Sequence, residues 1–507
     1  MKIFISYPPL TSDKGTPLLG QNRQFQWFNS PTYIYPVIPA YTATLLKQNG
    51  EEVVWDDGIA EGLSYEDWRA RLVSARPDLV MIETKTPVVK RHWRIINELK
   101  AKADWPLKIV LVGDHVTAQP EESLRYCQVD YVLAGGDYDF GLANLVKFLA
   151  GQAELEPGWY SRASGDWDAA GKNEEINWAD GEFKNVEFKN SGGRQDYHQH
   201  DLNMLPEIDR ELTKWQLYAY KNGNFKYTPG TYMMSGRDCW YGKCRFCSWV
   251  TMFPGASFRT RSARLALDEV GHLIDLGVKE IMEDSGSLPI GAWLTEFCTG
   301  MIERSYNKKV VMSCNMRITG IRDPETWKLM ERAGFRFILF GLESANQKTL
   351  DAINKNLKTE EIELGLKMCK DAGLEPHITA MIGYPWETRE DAKRTVELAG
   401  DLFKKGYVDS LQATVLIPYP GTPLYAYCRE NDLLNFTDYD RFDQREQVMK
   451  CELTTAEVKE MTQGLYKSFM TPKFIFRKMA GIRSWADVKF LWRAGTKVLG
   501  HLMDFRK

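Results

Sequence analysis

The chain has 507 residues, of which 44% are hydrophobic and 26% charged, a composition typical of a globular protein with more than one domain. Its net charge of −3 gives no reason to expect nucleic acid as a partner. Its nine cysteines are scattered apart from one cluster, which argues against a secreted disulfide framework and predicts a reducing, cytoplasmic compartment.

The first 150 residues alternate short apolar strands with helical segments. Continuous apolar strands separated by helices are typical of a parallel, doubly wound sheet, so we predict a Rossmann-like α/β domain over residues 1–150. Gly113, Gly135 and Gly136 fall where strands end, which is where such sheets bind ligands. The predicted strands are Lys2–Tyr7, Glu52–Trp55, Asp78–Glu83, Lys108–Gly113 and Asp130–Gly136.

Residues 151–228 are rich in Gly, Asn, Asp, Trp and Lys and show weak periodicity, which predicts a linker with some hairpin content. Six strand–helix units follow over residues 229–426, and such a series indicates a partial (β/α)6 barrel. The predicted strands of this barrel are Tyr232–Ser235, Glu280–Glu283, Val310–Asn315, Phe335–Leu342, Pro376–Ile382 and Ser410–Leu416.

Residues 427–507 are predicted to form a helical C-terminal region. From Lys467 onward the chain has ten Lys and Arg residues and two acids, Asp487 and Asp504, interleaved with aromatic and aliphatic residues. This composition is compatible with peripheral contact with a membrane surface or with an anionic or apolar substrate, and the simpler interpretation is a solvated helical face packed on the barrel. No apolar stretch of about 18 residues, the length that spans a bilayer, occurs in the sequence.

Three cysteines lie close together, at Cys239, Cys244 and Cys247, directly after the first predicted barrel strand. The active sites of barrels form at this end of the strands. Three thiolates from one loop suit an iron–sulfur cluster with one iron left open, whereas structural zinc usually takes four ligands and the next cysteine is Cys298. A zinc knuckle that lacks a ligand and three unconnected thiols are the alternatives.

With this loop, the chain resembles radical S-adenosylmethionine (SAM) enzymes that carry an N-terminal cobalamin-binding domain, and the resemblance covers nearly its whole length. It implies a 4Fe-4S cluster held by the three cysteines. SAM would bind the open iron through its amino and carboxylate groups and be cleaved to a 5′-deoxyadenosyl radical. The family usually has three residues between the first two cysteines, and this chain has four, Trp240 to Lys243. Gly242 can absorb the extra residue because glycine tolerates a positive φ.

Elements similar to those of the family follow the next barrel strands. The run that begins at Glu283 follows the second strand, where the family tends to contact the SAM amino group. Arg317 follows the third, and a guanidinium suits the SAM carboxylate. For each charged residue the alternative is a strand-end salt bridge or a helix cap, and for Glu387 the cap is favoured. The residues that the resemblance places near SAM are Glu283, Asp284, Ser285, Arg317, Glu343 and Ser344.

The resemblance also implies that the N-terminal sheet binds cobalamin. Many cobalamin proteins present an Asp-x-His-x-x-Gly motif whose histidine ligates cobalt, and this sequence has no such motif. Members of this family often lack the lower histidine ligand, so cobalamin is still implied. A vestigial sheet that no longer binds a corrin is the alternative. The residues expected to line the corrin are Thr84, Thr86, His115 and Gly135.

The implied function is a cobalamin-dependent radical SAM methyltransferase that methylates an unactivated carbon using a 4Fe-4S cluster, SAM and methylcobalamin. The alternatives are a cyclase or ring-rearranging enzyme without net methyl transfer, and a non-catalytic corrinoid- or SAM-binding protein. The implied partners are a small-molecule substrate, more plausibly apolar, and an electron donor such as ferredoxin or flavodoxin. We also expect the Gly113, His115 and Gly135 loops to face the cysteine loop across one shared cavity.

Overall fold

The protein is built around two large β-sheets with helices packed against them, as a computed structural model of the chain shows. The structure describes residues 1–19, 25–163, 187–468, 471–482, 485, 487–493 and 495. One sheet lies in the N-terminal half, and the second lies in the C-terminal half with the cysteine loop.

The N-terminal sheet contains β1 (Lys2–Tyr7), β2 (Glu52–Asp57), β3 (Leu79–Glu83), β4 (Lys108–Val112), β5 (Tyr131–Leu133), β6 (Trp159–Arg162) and β7 (Phe188–Asn190). Their order across the sheet is β2-β1-β3-β4-β5-β6-β7, and β1 to β5 pair in parallel. In this doubly wound topology the direction of winding reverses between β1 and β3. Ligands of such sheets bind at this switch point, outside the carboxyl ends of the strands.

Strands β6 and β7 come from the segment that the sequence predicted as a linker. β6 pairs antiparallel with β5 and with β7, so a hairpin extends the N-terminal sheet at its edge. The sequence predicted hairpin content in this segment but not the position of the two strands, because they are short and mostly half-buried or exposed and lack a continuous apolar run. The predicted linker therefore contains part of the N-terminal sheet, and its residues 164–186 lie outside the described residues.

The C-terminal sheet contains β8 (Gly230–Met233), β9 (Glu280–Glu283), β10 (Val311–Met316), β11 (Phe335–Glu343), β12 (Glu375–Ile382) and β13 (Ser410–Val415). All six strands are parallel and are neighbours in chain order. Within the described residues β13 does not pair with β8, so the barrel is open, as a partial barrel requires. Its carboxyl edge carries the loops that form the candidate site.

Helices connect the strands of both sheets. Those of the N-terminal half are α1 (Val37–Gln48), α2 (Gly58–Glu61), α3 (Tyr65–Ala75), α4 (Val89–Lys102), α5 (Asp114–Ala118), α6 (Pro120–Tyr126) and α7 (Tyr138–Leu149). Those of the C-terminal half are α8 (Trp249–Met252), α9 (Ala263–Asp275), α10 (Ala292–Glu303), α11 (Pro324–Arg332), α12 (Gln347–Ala352), α13 (Thr359–Asp371), α14 (Arg389–Lys405), α15 (Pro423–Glu430), α16 (Thr455–Ser468) and α17 (Pro472–Ala480).

One continuous cluster of buried apolar residues extends through both halves of the molecule. All five residues of β3 are buried, because helices cover both faces of a parallel sheet. Among the helices of the described residues, none combines the length and apolar composition that a membrane-spanning segment needs.

Candidate active site

The three clustered cysteines lie on the loop that follows β8, at the carboxyl end of the barrel strands. Each is partly exposed, and none is joined in a disulfide. All three contribute to the wall of one cavity of about 430 Å³, a volume within the range of small-molecule sites. Cys239, Cys244 and Cys247 therefore face one common space.

The extra residue between Cys239 and Cys244 is accommodated at Gly242. Its φ is +52°, and a Cβ atom there would lie 2.2 Å from the Cα atom of Gly255. Side chains of L-residues rarely adopt this conformation, and here there is also no room for one. Cys239 keeps its place at the strand end, since it pairs with Ser287 in a parallel bridge.

The turn that follows α12 anchors the cysteine loop. The Tyr241 hydroxyl donates to the Asn354 carbonyl over 2.6 Å, and the Arg245 amide donates to the Ile353 carbonyl over 2.9 Å. The Asn354 side-chain amide donates in return to the Lys243 carbonyl over 3.1 Å. Because these bonds tie several points of one loop to one turn, the cysteines are held before any ligand arrives.

The chemistry of the cysteine loop suits a cluster better than a single ion. Burial raises the pKa of the Cys244 thiol, although the nearby cations Lys355 and Arg317 act to lower it. A bound metal keeps a coordinating thiol deprotonated, so binding would reverse this shift. Structural zinc usually takes four ligands, and only three cysteines lie on this loop. Three thiols beside two cations fit a larger, cysteine-bound iron–sulfur cluster.

A buried ion pair lies on the same cavity wall. Lys355 Nζ is 2.7 Å from Glu343 Oε1, and both residues line the cavity. Burial acts to lower the pKa of Lys355, but the attraction of the Glu343 carboxylate outweighs it, so the pKa lies above its usual value. Gly341 provides the space, because a Cβ atom there would lie 2.1 Å from Glu343 Oε1 and 2.4 Å from Lys355 Nζ. The cavity therefore holds a charged lysine at a fixed position.

Arg317 lies at the cavity wall after β10 and connects two loops. Its guanidinium carbon is 3.8 Å from the centroid of the Tyr241 ring, a stacking that arginine favours. The same group donates to the carbonyls of Lys355 and Asn356. Arg317 therefore joins the cysteine loop to the segment that carries Lys355, and it places a second cation beside the thiols.

The acidic run after β9 divides into a wall residue and two supporting residues. Asp284 lines the cavity, and its carboxylate accepts from Asn315 Nδ2 over 3.0 Å. Glu283 Oε1 accepts from the Ser285 hydroxyl over 2.6 Å and from the Ser235 amide over 2.7 Å, and neither Glu283 nor Ser285 lines the cavity. Burial raises the pKa of Glu283 to about 7. The pair therefore supports the backbone before the cysteine loop.

Two further strand-end residues also act as supports. The buried Ser344 hydroxyl accepts from the Asn346 amide over 3.2 Å, at the start of α12. The buried Glu387 carboxylate accepts from the Gly383 amide over 2.6 Å and closes the turn before α14. Neither residue lines the cavity, so the structure does not bring Ser344 to the space that Glu343 reaches.

The residues expected to line a corrin are not among those that line this cavity; they are Thr84, Thr86, His115 and Gly135. All four are buried at the carboxyl edge of the N-terminal sheet. His115 Nε2 lies 2.8 Å from Glu122 Oε2, and His115 Nδ1 lies 3.2 Å from Thr86 Oγ1. Thr117 Oγ1 accepts from the Gly135 amide over 3.2 Å. These groups bond within the N-terminal half and do not line the cavity, so their contact with a corrin stays a prediction.

The loop that follows β1 forms the N-terminal wall of the cavity instead. Leu18, Gln26 and Phe28 of this loop line the cavity together with Tyr419 of the barrel. The Phe25 amide donates to the Tyr419 hydroxyl over 3.4 Å, which joins the two halves. This loop leaves the sheet at its switch point, so the cavity lies between the switch point of one sheet and the mouth of the other. One shared cavity is therefore present. The loop after β1 bounds it, in place of the expected Gly113, His115 and Gly135 loops.

The edge of the N-terminal sheet has unused polar capacity for a ligand. Asp114 Oδ1 is buried at the end of β4 without a hydrogen-bond partner among the described residues, and Lys85 Nζ lies 3.9 Å from Asp114 Oδ2. Asp114 also contributes to the raised pKa of the cavity residue Tyr419, whose main cause is burial. An unpaired buried carboxylate oxygen is costly, and a bound polar group would satisfy it. A corrin carries polar side chains, so this edge of the sheet fits such a cofactor.

Buried ion pairs hold the two sheet edges face to face. Arg237, two residues before Cys239, lies 2.6 Å from Asp139 and 2.9 Å from Asp137 of the N-terminal half. His200 Nδ1 lies 2.8 Å from Asp137 on the other side. Burial acts to lower the pKa of His200, but its bonds to two carboxylates outweigh it and raise the pKa to about 9. The carboxyl edges of both sheets therefore meet, as the sequence-based geometry required.

Sequence reasoning missed two cavity residues, Lys355 and His377. Lys355 stands between Asn354 and Asn356, whose φ angles are +52° and +47°, so a turn rather than a strand end presents it. His377 lies in β12 with Nδ1 2.8 Å from Ser410 Oγ, and its Nε2 has no partner among the described residues. Burial lowers the pKa of His377 to about 3, so this imidazole is neutral. The paired asparagines around Lys355 and a histidine within a mostly apolar strand were the available signals.

Residues 233–399, which include the cysteine loop and most of the barrel, match the Radical SAM superfamily model. The chain contains a radical SAM domain. This match confirms the resemblance on which the enzyme class was predicted. The matched residues begin in β8 and extend into α14.

Two curated proteins are similar to this chain over most of its length. The chain is 24% identical to the uncharacterized methyltransferase PH0819 of Pyrococcus horikoshii, over 87% of this chain and 89% of that protein. It is 22% identical to the anaerobic magnesium-protoporphyrin IX monomethyl ester cyclase of Rubrivivax gelatinosus, over 86% of this chain and 74% of that protein.

The fold also matches a solved structure from end to end. The radical SAM methyltransferase TsrM from Kitasatospora setae, solved with cobalamin and a 4Fe-4S cluster bound, is 14% identical and covers 99% of each chain with a TM-score of 0.67. At this identity the likeness concerns the fold. The predicted combination of an N-terminal Rossmann-like sheet, a radical SAM barrel and a helical C-terminal region is confirmed.

Proposed function

We propose that this protein is a cobalamin-dependent radical SAM methyltransferase that methylates a carbon atom of a small, apolar molecule. The observation that carries the proposal is the position of three cysteine thiols on a cavity between the barrel mouth and the switch point of the N-terminal sheet. An arrangement of this kind brings two cofactor sites to one substrate, so positioning lowers the barrier.

In this proposal Cys239, Cys244 and Cys247 hold the 4Fe-4S cluster. When the cofactors are bound, the cluster and SAM supply a radical at the substrate carbon and the corrinoid supplies the methyl group. Arg317 and Lys355 lie beside the thiols as fixed cations, where they attract the carboxylate of SAM. Asp284 offers a carboxylate for the SAM amino group on the same wall. Glu283, Ser285 and Ser344 support the backbone and do not contact SAM.

The wall of the cavity supports an apolar substrate. The barrel strands also contribute polar side chains to this wall. One is the neutral imidazole of His377, whose Nε2 has no partner among the described residues and offers the substrate one directional hydrogen bond. A mostly apolar pocket with a few placed polar groups is the usual form of a small-molecule site. The apolar lining residues include Leu18, Phe28, Ile34, Phe246, Trp249, Val250, Phe253, Met282, Met316, Leu339, Met381, Leu411, Val415, Leu416 and Ile417.

The corrin assignment rests on two observations in the N-terminal half. The fold is that of a protein solved with cobalamin bound. Asp114 leaves a buried oxygen unsatisfied at the edge where such sheets bind ligands. Binding of hydroxocobalamin to the purified chain in a one-to-one ratio, measured by its visible spectrum after gel filtration, tests this assignment separately. A chain that retains no corrin would support the vestigial-sheet alternative.

The central test is anaerobic reconstitution with iron, sulfide and hydroxocobalamin, followed by reaction with SAM and a reductant such as ferredoxin, flavodoxin or dithionite. We expect bound iron and sulfide, and formation of 5′-deoxyadenosine. Cys244→Ala should abolish both, because the cluster loses one of three thiolates. Cys451→Ala is the matched control, since Cys451 is also partly exposed but does not line the cavity. Equal deoxyadenosine yield from both variants would contradict the proposal.

A second candidate function is cyclisation without net methyl transfer. It is favoured by the Rubrivivax gelatinosus relative, which is named a cyclase and matches 86% of this chain. SAM with a deuterated methyl group distinguishes the two functions by mass spectrometry of the product. Methyl transfer adds the label to the product, whereas cyclisation consumes substrate and SAM and leaves the product unlabelled.

A further inference from the structure

The C-terminal segment exposes large apolar side chains on its outer side. The exposed fractions are 74% for Phe476, 63% for Met479, 71% for Trp485 and 76% for Trp492. In α17, Ile475 joins Phe476 and Met479 at helical spacing on this outer side. Helices of globular proteins usually turn their apolar stripe inward, so an outward stripe indicates a surface with a partner.

The outward orientation of α17 is fixed by contacts on its inner side. Lys478 Nζ lies 2.8 Å from Asp409 Oδ1, and the Arg477 guanidinium donates to the Phe403 carbonyl over 3.1 Å. The rings of Phe474 and Phe403 pack with their centroids 5.4 Å apart. Because three side chains already face the barrel, the helix cannot bury Phe476 by simple rotation without breaking them.

A strongly basic cavity of about 490 Å³ lies beside Trp485. None of its described lining residues is acidic, and the lining residue Lys226 is paired with Asp487 at 2.6 Å and with Glu375 at 3.9 Å. The six basic lining residues outnumber these two neighbouring acids, so the cavity carries net positive charge. Its six basic lining residues are Lys226, Lys279, Lys308, Lys309, Lys489 and Arg493.

The apolar side chains and the basic cavity belong to one side of the barrel. The cavity residues of the barrel precede or begin β8, β9 and β10, and Asp409, which holds α17, directly precedes β13. These positions are the amino ends of the strands, and the cysteine loop follows a carboxyl end. We call Phe476, Met479, Trp485, Trp492 and the six basic cavity residues the basal surface. It lies at the opposite ends of the strands from the candidate active site.

We propose that the basal surface docks onto a membrane that contains anionic lipids. Exposed tryptophan and phenylalanine side chains insert at the headgroup level of a bilayer, and basic residues beside them attract anionic lipids. The complementarity is strong, because the sequence from Lys467 onward has ten Lys and Arg residues against two acids. A symmetric dimer through this surface would bring two basic cavities together, and this repulsion disfavours a second copy as the partner.

Flotation of the full chain with vesicles tests the proposal. We expect the protein to float with vesicles of phosphatidylcholine mixed with phosphatidylglycerol, and to remain behind with phosphatidylcholine alone. High salt should weaken the binding, because charges near a surface are screened beyond about 8 Å at physiological ionic strength. Absence of binding to anionic vesicles at low salt would overturn the proposal, and so would equal binding to both vesicle types.

Two sets of variants locate the contact on the basal surface. The triple variant Lys308→Gln, Lys309→Gln and Lys489→Gln should bind about a hundredfold more weakly, because each basic residue near an anionic surface contributes about a factor of five. Its matched control is Lys348→Gln, Lys358→Gln and Lys393→Gln, three exposed lysines near the starts of α12, α13 and α14, which follow the carboxyl ends of the strands. Equal loss in both triples would show a dependence on net charge alone and overturn the assignment.

The apolar set is Phe476→Ser, Trp485→Ser and Trp492→Ser, and we expect it to lose vesicle binding. Its control is Met204→Ser, Tyr220→Ser and Leu364→Ser, which are exposed by 74%, 57% and 57% outside the basal surface. Gel filtration of the wild-type protein and of both sets of variants tests whether a second copy of the chain occupies this surface instead. A wild-type dimer that only the apolar set converts to monomer would assign the surface to a second copy and overturn the proposal.

Discussion

Glu343 combines two unfavourable features at the cavity wall. Its φ of +68° places a non-glycine residue in the left-handed region, which costs of order 1 kcal/mol. Its carboxylate is also buried, and the bond to Lys355 compensates only part of the desolvation. Such a residue persists only when its surroundings determine its conformation. We interpret the strain as the means by which the end of β11 aims this carboxylate into the cavity.

The Lys355–Glu343 pair predicts a large stability effect. Lys355→Met should lower the free energy of unfolding by about 3–5 kcal/mol, because it leaves a buried carboxylate unpaired. The double variant Lys355→Met with Glu343→Gln should regain most of this loss. Anaerobic urea unfolding measures both. Lys393→Met is the control, because Lys393 and Glu397 form an exposed pair at 3.8 Å, and its effect should stay within about 0.5 kcal/mol. A similar loss in both single variants would contradict the interpretation.

At the scale of elements, β11 shows how a strand end serves the site. The ladder between β11 and β12 shifts register between Gly341 and Glu343, so the last residues of β11 leave the regular pairing. Irregularities of this kind re-aim side chains next to active sites. Gly341 is the position where the irregular strand leaves room for the ion pair.

Gly341→Ala should lower the affinity for SAM while the protein remains folded. The new Cβ atom meets the flexible ends of Glu343 and Lys355 rather than backbone, so the fold should survive with a loss of about 1–3 kcal/mol. The displaced ion pair should weaken SAM binding by about tenfold or more, measured by isothermal titration of the reconstituted protein.

Gly464→Ala in α16 is the control for that variant. Its Cβ atom would lie 3.6 Å from the nearest Val396 methyl, and alanine in place of glycine in a helix stabilises by about 0.5–1 kcal/mol. SAM affinity should be unchanged in this variant. Unchanged affinity in Gly341→Ala as well would show that the ion pair has no part in binding SAM.

Elements with a continuous apolar run were predictable, and residues placed by irregular loops were not. The bounds of Glu280–Glu283 agree with the prediction, because a buried parallel strand has a clear sequence signal. The cysteines were predictable because their spacing is local. The loop after β1 and Lys355 reach the cavity only through tertiary packing, and no short-range pattern encodes that. The four expected corrin contacts do not line this cavity and stay a prediction, since strand ends indicate an edge but not which loop covers it.

At the scale of the whole molecule, the two sheets meet at an interface that carries charge. Arg237 is buried between Asp137 and Asp139 and stands two residues before the first cysteine. The orientation of the N-terminal half and the position of the cysteine loop are therefore set by the same contacts. Weakening the interface should move both walls of the cavity together, so stability and cofactor retention should respond in parallel.

The protonation of His200 makes this interface sensitive to alkaline pH. Its pKa is raised to about 9 in the folded protein, against about 6.5 for an ordinary histidine. A group whose folded pKa is raised contributes stability that is fully present below the unfolded pKa and is lost as pH rises through the folded pKa. The contribution is therefore complete below about pH 6.5 and absent above about pH 9, and it amounts to at most about 3 kcal/mol.

His200→Gln should remove this dependence. We expect the free energy of unfolding of the wild-type protein to fall between about pH 7 and about pH 9 more steeply than that of the variant, because only the wild type releases the His200 proton. Urea unfolding at several pH values gives both slopes, and retention of hydroxocobalamin should follow the wild-type curve if the interface also shapes the cavity. His198→Gln, an exposed neighbour, should leave the wild-type slope unchanged. Identical slopes for the wild type and His200→Gln would show that a group other than His200 causes the pH dependence.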